Sequence, residues 1–139
     1  MKIAIGIAAV LVGAILGGVV NMGIIMYGST LIPAPEGVDV TNAESIAAGM
    51  HLFEPKHFVT PFLAHAIGTL VGAVAAALIA PAKRLWFGIG IGGFFLLGGV
   101  VNAFMIPAPA WCVGVDLVLA YLPMGWLGAT IAMKIRGEA

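Results

Sequence analysis

Long apolar stretches alternate along the chain with short segments that hold nearly all of its charged residues. A helix needs about 20 mostly apolar residues to cross the hydrocarbon core of a bilayer. Four stretches meet that length, and the first of them can be extended as far as Ile32. The pattern therefore predicts an all-α membrane protein with four transmembrane helices, over residues 3–27, 58–80, 85–106 and 113–133.

The prolines agree with these boundaries. Pro61 lies in the first turn of the second stretch, where a missing backbone N–H costs little. Pro107 and Pro109 follow the third stretch and are expected to end it, because proline cannot continue a helix. Lys2 followed by an apolar stretch resembles the start of a signal peptide. The stretch is, however, longer than the apolar core of a signal peptide. We therefore expect a retained helix.

The few charges are distributed unevenly between the segments that flank the four stretches. Five of the six cations precede the first stretch, join the second to the third, or follow the fourth: Lys2, Lys83, Arg84, Lys134 and Arg136. Those segments all lie on one side of the membrane, and cation-rich segments stay in the cytoplasm. The other side holds one cation, Lys56, and four acids, Glu36, Asp39, Glu44 and Glu54. The sequence thus predicts cytoplasmic termini in a plasma (inner) membrane.

Composition narrows the class of protein further. Of the 139 residues, 62% are hydrophobic and 9% are charged, whereas a soluble domain carries roughly 25% charged residues. Six cations balance six acids, so the surplus of positive charge that nucleic-acid binding needs is missing. A single cysteine, Cys112, excludes an internal disulfide and a zinc site built from several thiolates. The composition therefore indicates a polytopic membrane protein that does not bind nucleic acid.

Short motifs occur twice, in the same order, along the chain. GGVVN stands at 17–21 and 98–102, LIPAP at 31–35 matches MIPAP at 105–109, and GVDV at 37–40 matches GVDL at 114–117. The second and fourth stretches also align, which places His65 over Tyr121. We predict one domain, 1–139, made of two tandem parallel-repeat hairpins. The repeats cover about 3–80, with an insertion at about 41–57, and about 85–134.

Small residues recur at helical spacing and indicate how the helices pack. Gly13 and Gly17, and Gly88 and Gly92, form GxxxG pairs, and small residues follow one another every four positions along 64–80. Such stripes let helix backbones approach closely in lipid. Besides the lipid bilayer, we expect a second copy of the chain or another membrane protein as a partner for some of these stripes.

The insertion predicts a short amphipathic helix on the extracytoplasmic side. Thr41 and Glu44 have the spacing of a capping box, and Ile46, Met50 and Phe53 follow at helical spacing. Pro55 is expected to end this helix, which would run over 41–54.

Polar residues inside the stretches are the candidates for function, because burying them in hydrocarbon is costly. Counted along their helices, all of them fall in the outer half of the bilayer. We expect them to line a polar pocket that binds a ligand: Asn21, His65, Asn102, Asp116 and Tyr121. Structural alternatives remain open, since the asparagines can bond between helices and Asp116 can favour a helix N-terminus.

A second candidate is a divalent metal ion as cofactor or cargo. His51, Glu54 and His57 form an HxxExxH string, and His65 is a further nitrogen ligand. Pro55 interrupts this string, so a regular helix cannot present all three side chains.

Three functional hypotheses follow. The leading one is a non-enzymatic protein that binds or transports a small ligand or metal ion through the polar pocket, which the segment 51–57 would cover. The second is a structural or accessory subunit of a membrane complex. The third is a membrane-embedded metalloenzyme.

Overall fold

The computed structural model describes residues 1–138, and that part of the chain forms six α-helices and no β-strand. The helices are α1 Lys2–Leu31, α2 Ala43–Gly49, α3 Val59–Ile79, α4 Arg84–Met105, α5 Ala110–Leu119 and α6 Leu122–Ile135. Two short 3-10 turns, Met50–Leu52 and Pro55–Phe58, connect α2 to α3.

Within residues 1–138, four helical segments are long and apolar enough to cross a membrane: Lys2–Leu31, Pro55–Ile79, Arg84–Met105 and Ala110–Ile135. This confirms the prediction of four candidate spans in an all-helical chain. The first helix follows the longer of its two expected extents, because no proline or charge interrupts it before Leu31.

The fourth span differs from the expected continuous helix over 113–133. It begins earlier, at Ala110, and breaks at Ala120 and Tyr121 into α5 and α6. Pro123 explains the break, because its ring clashes with the carbonyl of Leu119, four residues earlier, and it offers no N–H. Tyr121 takes a non-helical conformation there, with φ of −119° and ψ of −81°.

Helix α3 lies at the centre of the bundle, where α1, α4 and α6 all pack against it. Its contact with α1 is the most extensive, and it includes direct approaches of the two backbones. A Cβ on Gly72 of α3 would lie 2.6 Å from the carbonyl oxygen of Gly13 on α1. Only glycine permits this approach, and the contact holds α1 and α3 antiparallel.

The bundle divides into two halves along its long axis. In the packed half (residues 2–17, 68–95 and 122–138), alanines and glycines bring the helices together, and Ala73, Ala76 and Ile91 form a buried cluster. In the cavity half (residues 18–67 and 96–121), the longer connections lie over the helix ends.

Arg84 closes the packed half. Its side chain is only 9% exposed and donates hydrogen bonds to the carbonyl oxygens of Ala77 (2.7 Å), Leu78 (3.2 Å) and Ala80 at the end of α3. These carbonyls have no partner within their own helix. Arg84 also holds the C-terminal segment, through a 2.9 Å bond from Nε to the Glu138 carboxylate.

The insertion folds into a shorter helix than expected. Helix α2 begins at Ala43, and the Asn42 side chain caps it by accepting bonds from the N–H groups of Glu44 and Ser45. The expected capping box from Thr41 is therefore wrong: the Thr41 hydroxyl instead donates to the Asp39 carboxylate at 2.6 Å. That hydrogen bond lowers the pKa of Asp39. Pro55 does not follow a helix but begins the second 3-10 turn.

The two GGVVN motifs pack differently. Gly17 contacts the α3 backbone, whereas its counterpart Gly98 meets nothing within 4 Å of an added Cβ. Gly18 is open in the same way, but its counterpart Gly99 lies against Tyr121. Helix α1 thus packs through the first glycine of the motif, and helix α4 packs through the second.

Candidate ligand cavity

A cavity of about 590 Å³ occupies the cavity half of the bundle. Residues of α1, α3, α4 and α5 form its walls, and the segment between α1 and α3 lines it at the far end. Asn21, His65 and Tyr121 line the end of the cavity next to the packed half, and Phe95, at the edge of the packed half on α4, lines it as well. Small-molecule sites typically measure about 300–1,000 Å³, so the cavity is large enough for an organic ligand.

A change in side-chain size along α4 opens this cavity. In the packed half, Ile91 and Phe95 of α4 fill the space beside α1, since an added Cβ on Gly13 or Gly17 would lie against them at 3.1 and 2.8 Å. One turn further along α4, Gly98 and Gly99 replace these large side chains. Beyond Phe95, α1 and α4 therefore line the cavity instead of packing through large side chains.

Three side chains form a hydrogen-bonded group beside the cavity. Asp116 Oδ1 lies 2.8 Å from His65 Nδ1, and Asp116 Oδ2 accepts a 2.8 Å hydrogen bond from the Tyr121 hydroxyl. The rings of His65 and Tyr121 stack, with centroids 5.7 Å apart. When Asp116 is ionised, the proton of the bond to His65 lies on Nδ1, because a carboxylate has no proton to donate.

The break in the fourth span makes this group possible. In a continuous helix, residues five apart point about 140° away from each other. The non-helical Tyr121 removes that constraint, and its hydroxyl reaches back to Asp116. Gly99 leaves the necessary space, since a Cβ there would lie 2.5 Å from the Tyr121 hydroxyl oxygen. Pro123 and Gly99 were both visible in the sequence, but their effect depends on this three-dimensional arrangement.

Asn21 and Asn102 line the cavity from two different helices, α1 and α4. Within residues 1–138, neither side-chain amide is hydrogen-bonded to another side chain or to the backbone. Their amide groups are therefore available to a ligand. All five residues expected to form a polar pocket line this single cavity.

Phenylalanine side chains complete the walls, and none of them was expected from the sequence to line a pocket. Phe53 and Phe58 lie in the segment that covers the cavity, Phe62 lies on α3, and Phe95 lies on α4. Phe58 also packs edge-on against Trp111, with ring centroids 5.9 Å apart. Phenylalanines at these positions look like ordinary membrane-helix residues in the sequence, so no pattern distinguished them.

The four candidate metal ligands are dispersed. His57 and His65 line the cavity, but Glu54 pairs with Lys56 at 3.0 Å, and His51 is not among the lining residues. His57 Nδ1 already accepts a 2.8 Å hydrogen bond from the N–H of Glu54. In the described part of the chain, no three His, Cys, Asp or Glu side chains are grouped to hold a metal ion.

The cavity has a distinct electrostatic character. Asp116 is its one acidic lining residue, and neither lysine nor arginine lines it among residues 1–138. Comparisons of the chain with protein families, curated proteins and solved structures gave no match.

Proposed function

We propose that the protein is a non-enzymatic membrane protein that binds a small organic molecule in this cavity and carries it within or across the bilayer. The observation that carries the proposal is the convergence of Asn21, His65, Asn102, Asp116 and Tyr121 on one cavity of ligand size. Burying a polar group in a membrane costs free energy, so such groups occur mainly where they contact one another or a ligand. Two of these five, the asparagines, form no side-chain hydrogen bond within the described residues.

The proposal includes an orientation. Five of the six cations belong to the packed half, and four of the six acids lie between α1 and α3 in the cavity half. By the positive-inside rule, the termini are cytoplasmic, and the cavity and α2 belong to the outer side of a plasma (inner) membrane. A topology reporter fused at Gly37 is expected on the outer side; a cytoplasmic reporter would reverse the orientation.

The proposal also keeps the duplicated hairpin as the origin of the cavity. Asn21 and Asn102 hold matching positions in the two GGVVN motifs, and both line the cavity. His65 and Tyr121 match in the alignment of the second and fourth spans, and their rings stack. A pair of related hairpins facing each other would place such equivalent residues around a common centre.

The alternative hypotheses have less support. The accessory-subunit hypothesis relied on glycine stripes for a partner, and many of these glycines pack inside the chain, such as Gly13 on Gly72 and Gly88 on Gly125. The metalloenzyme hypothesis needs a ligand cluster, and its four candidate residues do not form one. Self-association through the open glycines on α1 and α4 remains compatible with a ligand-binding function.

A matched pair of variants tests the cavity directly. The Cβ of a residue at Gly98 or at Gly90 would meet nothing within 4 Å, and both glycines lie on α4, but only Gly98 lines the cavity. Gly98→Phe is expected to fill part of the cavity, whereas Gly90→Phe leaves it empty. Binding of the neutral fluorophore N-phenyl-1-naphthylamine to protein in nanodiscs is measured by its emission, with empty nanodiscs as the baseline.

The proposal predicts saturable binding to the wild type and to Gly90→Phe, and at least about tenfold weaker binding to Gly98→Phe. Equal binding to all three proteins, or no binding above empty nanodiscs, would contradict it.

A further inference from the structure

The cavity contains one acidic group in surroundings that supply no fixed positive charge. Asp116 has a side chain 16% exposed, and the cavity wall carries neither lysine nor arginine in the described residues. A carboxylate in low-dielectric surroundings is costly unless a positive charge compensates it. The group therefore needs one positive charge, which a proton on the His65–Asp116 pair or a bound cation can supply.

The geometry leaves Asp116 able to interact with a ligand. Each of its oxygens takes part in one hydrogen bond, with His65 and with Tyr121. An ionised carboxylate has about four acceptor sites, so roughly two remain. The two existing bonds fix the orientation of the carboxylate beside the cavity.

The remaining wall suits a cation with an apolar body. Four phenylalanines line the cavity, on α4, on α3 and in the covering segment: Phe53, Phe58, Phe62 and Phe95. Aromatic faces attract cations through their quadrupole, and most strongly where water is excluded. An organic anion would instead meet Asp116 without a compensating cation.

We propose that the cavity binds a lipophilic organic cation, and that this cation exchanges with one proton held by the His65–Asp116 pair. The inference rests on the proposed ligand-binding function and adds the ligand's charge and its coupling to protons. The exchange conserves charge, because one positive charge leaves the pair as the other arrives. Energy from a proton gradient could then drive the cation out of the cavity.

The elements packed around the pair contribute few other titratable groups within the described residues. Helix α1 contributes the amide of Asn21 and helix α4 that of Asn102, and neither group titrates. The fourth span contributes Cys112 and Tyr121, and the covering segment contributes His57. Among the described residues, His57 is the only other imidazole in the cavity wall, so it serves as the matched control.

Three probes of the same size and shape separate charge from hydrophobicity. Tetraphenylphosphonium is a cation, tetraphenylmethane is neutral and tetraphenylborate is an anion. Binding to protein in nanodiscs is measured by equilibrium dialysis, with empty nanodiscs subtracted. We expect the cation to bind at least about tenfold more tightly than either of the other probes at about pH 8.

Protonation is tested with variants at the pair. If the cation displaces one proton from the pair, phosphonium affinity should rise with pH, by up to about tenfold per unit. His65→Asn keeps a hydrogen-bond donor toward Asp116 but has no imidazole to hold that proton, so its affinity should not rise with pH. His57→Asn should retain the wild-type pH dependence. Asp116→Asn should lose the preference for the cation.

The binding results distinguish a failure of the cation proposal from a failure of the ligand-binding function. Folding of the variants is checked by N-phenyl-1-naphthylamine binding, which does not depend on charge. If all variants bind that fluorophore but the cation and the neutral probe bind equally, the cation proposal fails while the ligand-binding function stands. Tighter binding of the anion, or a pH dependence that His65→Asn retains, also overturns the proposal. If the wild type binds neither the fluorophore nor any of the three probes, the ligand-binding function itself fails.

Discussion

The two halves of the bundle use the same small residues for opposite purposes. In the packed half, Gly72 brings the backbones of α3 and α1 into contact, and no space remains between them. In the cavity half, Gly98 leaves a space that no neighbouring side chain fills. A glycine in a membrane helix therefore stabilises the fold where a backbone faces it, and creates room for a ligand where none does.

The largest expected effect separates these two kinds of glycine. At Gly72, a methyl group would lie 2.6 Å from the carbonyl oxygen of Gly13, so Gly72→Ala forces α1 and α3 apart. We expect a loss of about 1–3 kcal/mol in the free energy of unfolding, as for other overpacked sites. Gly98→Ala meets nothing within 4 Å and should be neutral or stabilising by about 0.5–1 kcal/mol, because alanine favours the helix.

The unfolding midpoint of each variant is measured in detergent micelles by heating and monitoring circular dichroism. Equal midpoints for Gly72→Ala and Gly98→Ala would contradict the division of the bundle into a packed half and a cavity half.

The next effect concerns how the packed half is closed at its end. Arg84 binds carbonyl oxygens at the end of α3, and Arg84→Met keeps the length of the side chain but removes its donors. Buried carbonyls without a partner cost about 1–3 kcal/mol, so the variant should unfold at a lower temperature. Lys134→Met removes an exposed cation from the same half and should leave the unfolding midpoint nearly unchanged. An unchanged midpoint for Arg84→Met would mean that water replaces the arginine without cost.

The sequence was informative about the packed half and much less so about the cavity half. Apolar length predicted the four candidate spans, since that pattern depends only on the thickness of the bilayer. The break at Tyr121 was missed, although Pro123 was its signal, because apolar length alone reads 113–133 as continuous. Thr41 was wrongly given the cap that Asn42 provides, because both residue types cap helices and they are neighbours.

The candidate site was predictable as a set of residues but not as an arrangement. The cost of burying polar groups singled out Asn21, His65, Asn102, Asp116 and Tyr121. The hydrogen bonds between three of them depend on the helix break and on the space at Gly99, which only the structure supplies. The proposed metal ligands came from spacing along the chain, and the 3-10 turn at Pro55 gives that segment a geometry that spacing does not describe.

The smallest expected effect is the pH dependence of the contact between Arg84 and Glu138, which attaches the C-terminal segment to the packed half. Hydrogen bonding to the Arg84 guanidinium, with a smaller contribution from Arg136, holds the pKa of Glu138 below its ordinary value of 4.5. A lowered pKa means that the folded state favours the ionised carboxylate. Attachment of the segment is therefore complete above about pH 4.5 and is lost as the pH falls through the lower, folded-state pKa.

Carboxyl carbon resonances of ¹³C-glutamate in micelles report this titration, and Glu138→Gln identifies the resonance. In the wild type its midpoint should lie below 4.5, and Arg84→Met should move it upward toward that value. The cavity half supplies the internal reference, because Glu44 lies in α2, far from Arg84, and its carboxyl resonance should not respond to Arg84→Met. If Arg84→Met left the Glu138 midpoint in place, Arg136 alone would hold the carboxylate, and the packed half would be closed by α3 and Arg84 without the C-terminal segment.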